Sequence, residues 1–251
     1  MPRFFRDDVE IAFLDEGEGE PIVLVHGFAS NKEVNWVFTS WMSTLTRAGR
    51  RVIALDNRGH GASTKFYDPA LYRISVMAED VHALVDHLGI ERADVMGYSL
   101  GARIAAILAG LYPERVRSAI LGGMGIRLVE GAGVPADVIS AALEARSRDD
   151  VVDPTGHMFR SFAEQTRSDL RALAACIHGS RQIVTREEVD GIVVPVLVTA
   201  GDKDQIAGSP EALAALIPNA EALVIPGRDH MLAVGDKAYK VGVLEFLQER
   251  L

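Results

Sequence analysis

The chain has 251 residues, 48% of them hydrophobic, which suffices for one large core and predicts a single α/β domain. A formal net charge of −9 argues against nucleic acid or an anionic membrane as partner, and one cysteine, Cys176, rules out an internal disulfide. Charged residues within 1–8 stand where an export signal needs apolar ones, and the longest nearly apolar stretch, 104–111, is too short to span a bilayer, so a cytoplasmic protein is expected.

Residues 9–14, flanked by Asp- and Gly-rich turns, predict an antiparallel edge strand, and 21–25 (PIVLV) a fully buried one. A helical pattern over 36–47 leads to a second buried strand at 52–55. The next helix, 74–88, carries Met77, Val81, Leu84, Val85 and Leu88 on one stripe, with Gly89 as its stop. A short strand at 92–96 runs into Gly97-Tyr98-Ser99-Leu100-Gly101 and then a helix over 102–112. Ala102, Ala105, Ala106 and Ala109 keep that helix slim, which suits close packing on a sheet. Strands at 116–121, 194–199 and 222–225 and helices at 211–216 and 237–248 complete an alternating pattern. Such alternation predicts a mostly parallel, twisted sheet with helices on both faces.

The alternation breaks between about 129 and 190, where no strand pattern is clear. Helices are expected at 136–145, opening after Pro135, and at 168–177, with Ser168 as cap. Thr185-Arg186-Glu187-Glu188 fits a capping box that opens a third. This stretch is read as a small helical lid inserted into one domain spanning 1–251.

The G-x-S-x-G run supplies chemistry. Its glycines allow a strand-to-helix turn too tight for flanking side chains, and the helix N-terminus offers free N–H groups to an oxygen gaining negative charge. A serine hydroxyl needs a base, and of seven histidines only His230 follows the last strand-like segment, 222–225. His82 and His87 lie within a helical pattern and suit packing or solvent. Gly201-Asp202-Lys203-Asp204 places acids after an earlier strand on the same sheet edge.

Five motifs carry a resemblance: His26-Gly27-Phe28, Asp56-Asn57-Arg58-Gly59-His60-Gly61, Gly97-Tyr98-Ser99-Leu100-Gly101, Gly201-Asp202-Lys203-Asp204 and Gly227-Arg228-Asp229-His230. From residue 21 to 251 the sequence resembles the α/β-hydrolase superfamily, in its compact, small-lid branch of Ser-Asp-His esterases. The resemblance implies Ser99 as nucleophile, His230 as base and Asp204 as acid, with Asp202 structural and the Asp229 side chain turned elsewhere. An alternative acid position in that superfamily reads Gly122-Gly123-Met124-Gly125 here and holds no carboxylate. It also implies an oxyanion hole from the backbone N–H groups of Phe28 and Leu100, with His26 ordering the Phe28 loop and 56–61 a turn scaffold.

The expected reaction is hydrolysis of a small carboxylic ester through an acyl-enzyme, so the expected partner is a small-molecule ester. Tyr98, Met124, Phe159, Phe162 and Met231, with Phe28 and Met158, are the candidate apolar wall around it. Serine at position 99 disfavours relatives with an aspartate nucleophile. C–C bond hydrolases, enol-lactonases, perhydrolases, a lyase-type synthase of menaquinone synthesis and non-enzymatic ligand receptors share the scaffold and stay as alternatives. The run Gly97 to Arg103 is similar to that synthase, which gives Arg103 two readings: a grip on a substrate carboxylate, helped by Arg127, Arg160 or Arg171, or a structural helix residue. Scattered histidines without an H-E-x-x-H motif suggest no metal, and no G-x-G-x-x-G run suggests a dinucleotide, so no cofactor is expected.

Overall fold

A computed structural model describes residues 1–131 and 134–250; Ala132 and Gly133 of the expected lid and Leu251 of the expected domain lie outside the described residues. In chain order the elements begin with β1 (Arg3–Arg6), β2 (Val9–Glu16), β3 (Glu20–Val25), α1 (Trp41–Arg47), β4 (Arg50–Leu55), α2 (Ile74–His87), β5 (Ala93–Tyr98), α3 (Leu100–Leu111) and β6 (Val116–Gly122). They continue with α4 (Arg127–Glu130), α5 (Ala136–Glu144), α6 (Pro154–Gln165), α7 (Leu170–Gly179), α8 (Arg186–Asp190), β7 (Val196–Gly201), α9 (Pro210–Ala214), β8 (Ala220–Ile225) and α10 (Lys237–Glu249). The strands form one sheet in the order β1-β2-β4-β3-β5-β6-β7-β8, parallel from β4 to β8 and antiparallel at β1 and β2.

Successive side chains on a strand point to opposite faces, and the core divides accordingly. Val23, Val25, Ile53, Leu55 and Val95 pack with α2 and α3 on one face; Ile22, Leu24, Val52, Ala54 and Met96 pack with α1 and α10 on the other. Both faces are covered, as continuous apolar strands require. A third cluster joins Ile139, Leu143, Ala163, Leu173 and Ile177 of α5, α6 and α7 to Ala29, just beyond β3. The chain leaves β3 for β4 on one side, while β5 lies on the other, so the crevice at the carboxyl ends of β3 and β5 is the topological switch point where open α/β sheets gather ligands.

Several elements differ from the sequence expectation. Residues 9–14 are not the edge, because β1 pairs outside them and buries Phe4 despite its flanking arginines. The 36–47 helix is broken: a π-type turn spans Glu33–Val37, and Ser40 (φ +66°) separates it from α1. Trp36 and Trp41 would stand roughly 140° apart on an unbroken helix, whereas the break lets both bury completely, edge to face at 6.5 Å. The strand expected at 194–199 starts at Val196, since Pro195 has no N–H to pair and gives only its carbonyl, to the Ala119 N–H at 3.0 Å. Asp169, not Ser168, caps α7 by accepting from the Arg171 and Ala172 N–H groups, and Ser168 pairs with the Thr166 hydroxyl instead. Helix α6 has no counterpart among the expected helices, although Asp153 caps it and Pro154 occupies its first turn. Thr185 and Glu188 do form the expected capping box. Among the described residues no helix is long and apolar enough to cross a membrane.

Candidate active site

Ser99 connects β5 directly to α3, at φ +54° and ψ −109°. Such a backbone costs a non-glycine residue about 1–3 kcal/mol and persists because its surroundings dictate it. Those surroundings are two close approaches: a Cβ on Gly97 would run into the Gly101 carbonyl, and one on Gly101 into the Val25 carbonyl at the end of β3. The hydroxyl is thereby lifted off the sheet edge.

The structure brings His230 and Asp204 to it. His230 Nε2 lies 3.0 Å from Ser99 Oγ, and its Nδ1 lies 2.8 Å from Asp204 Oδ2. The other Asp204 oxygen accepts from the Ile206 and Ala207 N–H groups at 3.0 and 2.9 Å, which fixes the buried carboxylate in place. Tyr98 donates its hydroxyl to the His230 carbonyl at 2.6 Å, and burial pushes its phenol well above the usual range, so it remains a donor. Asp202 accepts from the Gly227 N–H at 2.7 Å, while Asp229 accepts from the Met231 and Leu232 N–H groups. Both therefore shape the loop that carries His230.

The Phe28 loop is built from buried polar contacts. His26 Nδ1–H donates to the Gly27 carbonyl at 2.8 Å and Nε2 accepts the Asn57 N–H at 3.0 Å, a pairing that needs the neutral ring. Burial favours that form, drawing its pKa down against the pull of Asp56. Gly27 donates to Asn35 Oδ1 at 3.0 Å, and a Cβ there would already touch the Tyr98 carbonyl and Ser99 Cβ, so the loop lies against the serine. Among the described residues, the N–H groups of Phe28 and Leu100 have no acceptor. Asp56 holds the following turn together through Lys32 and the Ala62 N–H.

Ser99 lies between two cavities. The larger, about 210 Å³, is lined by Phe28, Tyr98, Phe159, Phe162 and Met231 as expected, and also by Val34, Asn35 and Val234. Those three lie on the π-type turn and on the loop after β8, where no periodic pattern marks them. The smaller, about 60 Å³, is lined by Phe28, Ser99, Leu100, Arg103, Met124, Arg127, Phe159 and Arg181, among others. Met124 thus lines only the smaller chamber, where it meets Phe28 and Phe159, which line both. Two candidate arginines do not converge. Arg160 donates to the carbonyls of Ala142, Leu143 and Ala145 and pairs with Glu164, tying α5 to α6, and Arg171 lies over the Tyr67 ring at 4.7 Å. Arg181, which nothing in the sequence marks, lines the small chamber instead. Among the described residues no group of three or more His, Cys, Asp or Glu side chains is placed to hold a metal ion.

The family model of the alpha/beta hydrolase fold matches residues 20–131. The chain is 30% identical to a non-heme haloperoxidase of Rhodococcus erythropolis over 96% of its own length and 97% of that relative's. It is 36% identical to the dihydrolipoyllysine-residue acetyltransferase component of the acetoin cleaving system of Pseudomonas putida, over 85% of this chain, which spans 59% of that longer relative. The structure of the enol-lactonase from Burkholderia xenovorans LB400 matches with a TM-score of 0.81 and 25% identity, covering 99% of this chain and all of that one. The protein belongs to the α/β-hydrolase fold family.

Proposed function

We propose that the protein is a serine hydrolase that cleaves small carboxylic esters through an acyl-enzyme on Ser99. The observation that carries this reading is the unbroken chain from Asp204 through His230 to the Ser99 hydroxyl, at 2.8 and 3.0 Å. A carboxylate can only accept, so Asp204 holds the proton on Nδ1 and leaves Nε2 free to take the serine proton. Oγ then attacks the ester carbonyl, and the tetrahedral oxyanion accepts from the Leu100 and Phe28 N–H groups, which no protein oxygen occupies among the described residues. His230 returns its proton to the leaving alkoxide. Water, deprotonated by the same imidazole, then hydrolyses the acyl-serine. The similarity to an enol-lactonase supports hydrolysis of an ester-type bond.

A main chamber of about 210 Å³, below the roughly 300–1,000 Å³ of pockets for drug-sized ligands, favours a short acyl chain. Each added CH₂ helps by about 0.8 kcal/mol only while there is room to bury it. Across a series of p-nitrophenyl esters we expect kcat/KM to be highest from acetyl to butyryl, with little action on long-chain triglyceride emulsions and survival of activity through dialysis against EDTA. Ser99→Ala should abolish labelling by an organophosphonate, read by denaturing mass spectrometry, and lower turnover by about 10⁴-fold or more. Retained hydrolysis in Ser99→Ala would sink the assignment, and activity rising out to palmitoyl esters would overturn the size argument.

A further inference from the structure

The small chamber beside Ser99 has a charge that the rest of the chain does not predict. In a protein of net charge −9, its lining holds three guanidinium groups and no carboxylate. A buried cation is ordinarily paired, because removing it from water is costly unless an anion replaces the lost hydration. Arg103 is buried, yet among the described residues its terminal nitrogens donate only to the carbonyls of Gln182 and Arg127, at 2.9 and 3.2 Å. Half-buried Arg181 has neither an ion pair nor a hydrogen bond among the described residues. Among the described residues only Arg127 of the three has an acid within 4.0 Å, Glu130 at 4.0 Å, and Glu130 does not line the chamber. Burial, and then the neighbouring charge of Arg181, draw Arg103 down to about 10, which leaves it cationic at neutral pH.

We propose that this chamber is an anion subsite in which Arg181, with Arg103 and Arg127, takes a carboxylate carried by the substrate itself. The inference rests on Ser99 being the reacting residue, and it narrows the substrate to a short ester that also bears a carboxylate. A guanidinium offers paired N–H groups matched to the two oxygens of a carboxylate. The chamber's 60 Å³ is several times the roughly 10–15 Å³ that admits one water molecule, which leaves room for a carboxylate. Ser99, Phe28 and Phe159 line both chambers, so the carboxylate sits within a few bonds of the reacting carbonyl while the apolar remainder fills the larger space. Half-esters of short dicarboxylic acids and acyl esters of small hydroxy acids have this shape.

The test uses calorimetric titration of the full-length Ser99→Ala protein with monomethyl glutarate and with O-butyrylglycolate, each against its neutral methyl ester. At least one acid should bind tenfold or more tightly than its neutral counterpart. Arg181→Met should erase that preference and Arg181→Lys should retain part of it. Arg181 is the residue to change because Arg103 also anchors two backbone carbonyls. Equal affinity of acids and neutral esters, or a preference untouched by Arg181→Met, overturns the subsite. Steady-state hydrolysis by the wild-type protein separates the two readings. Turnover of the neutral esters with no preference for the acids sinks the subsite and leaves the esterase; a binding preference without any ester turnover sinks the esterase and leaves the subsite.

Discussion

His60 shows how much one buried side chain can commit a protein to a pH range. It is fully buried, its Nδ1–H donates to the Arg58 carbonyl at 3.0 Å, and its Nε2 has no partner among the described residues. Burial, then the neighbouring His26, push its pKa down to about 3, whereas an unfolded histidine takes its proton near 6.5. Between those values the unfolded chain binds the extra proton, so the neutral ring's contribution is complete above about pH 6.5 and is lost progressively as pH falls. At pH 5 that amounts to about 2 kcal/mol. Urea unfolding at pH 7.5 and at pH 5 should reveal it, and His60→Asn, whose amide can keep the bond to Arg58, should lose about 2 kcal/mol less between the two. An equal loss in both proteins would contradict the assignment. At this scale the sequence was informative wherever a residue type has few uses. Ser99, Asp204 and His230 stood out by motif, while Arg181 is one of many arginines and became visible only through what surrounds it.

Helix α3 carries two glycines that sit in opposite circumstances. At Gly101 an added Cβ would meet the Val25 carbonyl, so the helix could stay only by moving off the sheet and carrying Ser99 and Leu100 with it. Gly110 is exposed, and its nearest neighbours to such a Cβ are 3.8 and 3.9 Å away. Gly110→Ala should therefore stabilise the protein by about 0.5–1 kcal/mol. Gly101→Ala should destabilise it by about 1–3 kcal/mol and lower kcat more than it raises KM. Thermal melts and ester kinetics of the two variants check both signs; if Gly101→Ala were neutral, the close packing of α3 would not be what sets the Ser99 turn. Elements with one strong periodicity were legible, and α2 buries Met77, Val81, Leu84 and Val85 of the expected stripe. Elements shaped by their neighbours were not. The break at Ser40 follows from burying two tryptophans together, and α6 presents a half-exposed polar face whose pattern is weak without the loop it covers.

Across the whole molecule the two ends of the sheet have different tasks. The carboxyl ends of the strands carry Ser99, Asp204 and the Phe28 loop, with His230 beyond β8. At the opposite end, fully buried Asp94 at the start of β5 accepts from Ser118 at 2.7 Å, from Arg250 at 2.7 and 2.8 Å, and from Arg50, and the two arginines also reach Glu20 at the start of β3. This cluster fastens the chain's last helix to the middle of the sheet. Removing one partner of a buried pair leaves the other charged and uncompensated, a loss of about 3–5 kcal/mol. Asp94→Asn should show a loss of that order in urea unfolding while kcat/KM of the folded protein stays within about twofold. Ser99→Ala should show the reverse, and a variant at Asp94 that lost activity without losing stability would refute this division.

The sequence by itself determined the α/β architecture, because alternating strand and helix patterns are local and each covers its own stretch of chain. It also marked Ser99, His230 and the acids at 202 and 204, since a tight turn before a helix and loops after late strands are written in neighbouring residues, while the family resemblance singled out Asp204. Only the tertiary structure decided that His230 touches a serine 131 positions away, that β1 lies outside β2, and that Arg103, Arg127 and Arg181 share a chamber with Ser99. Those arrangements depend on which loops the lid and the sheet edge bring together. Distances between residues remote in sequence are set by packing, and no period along the chain encodes them.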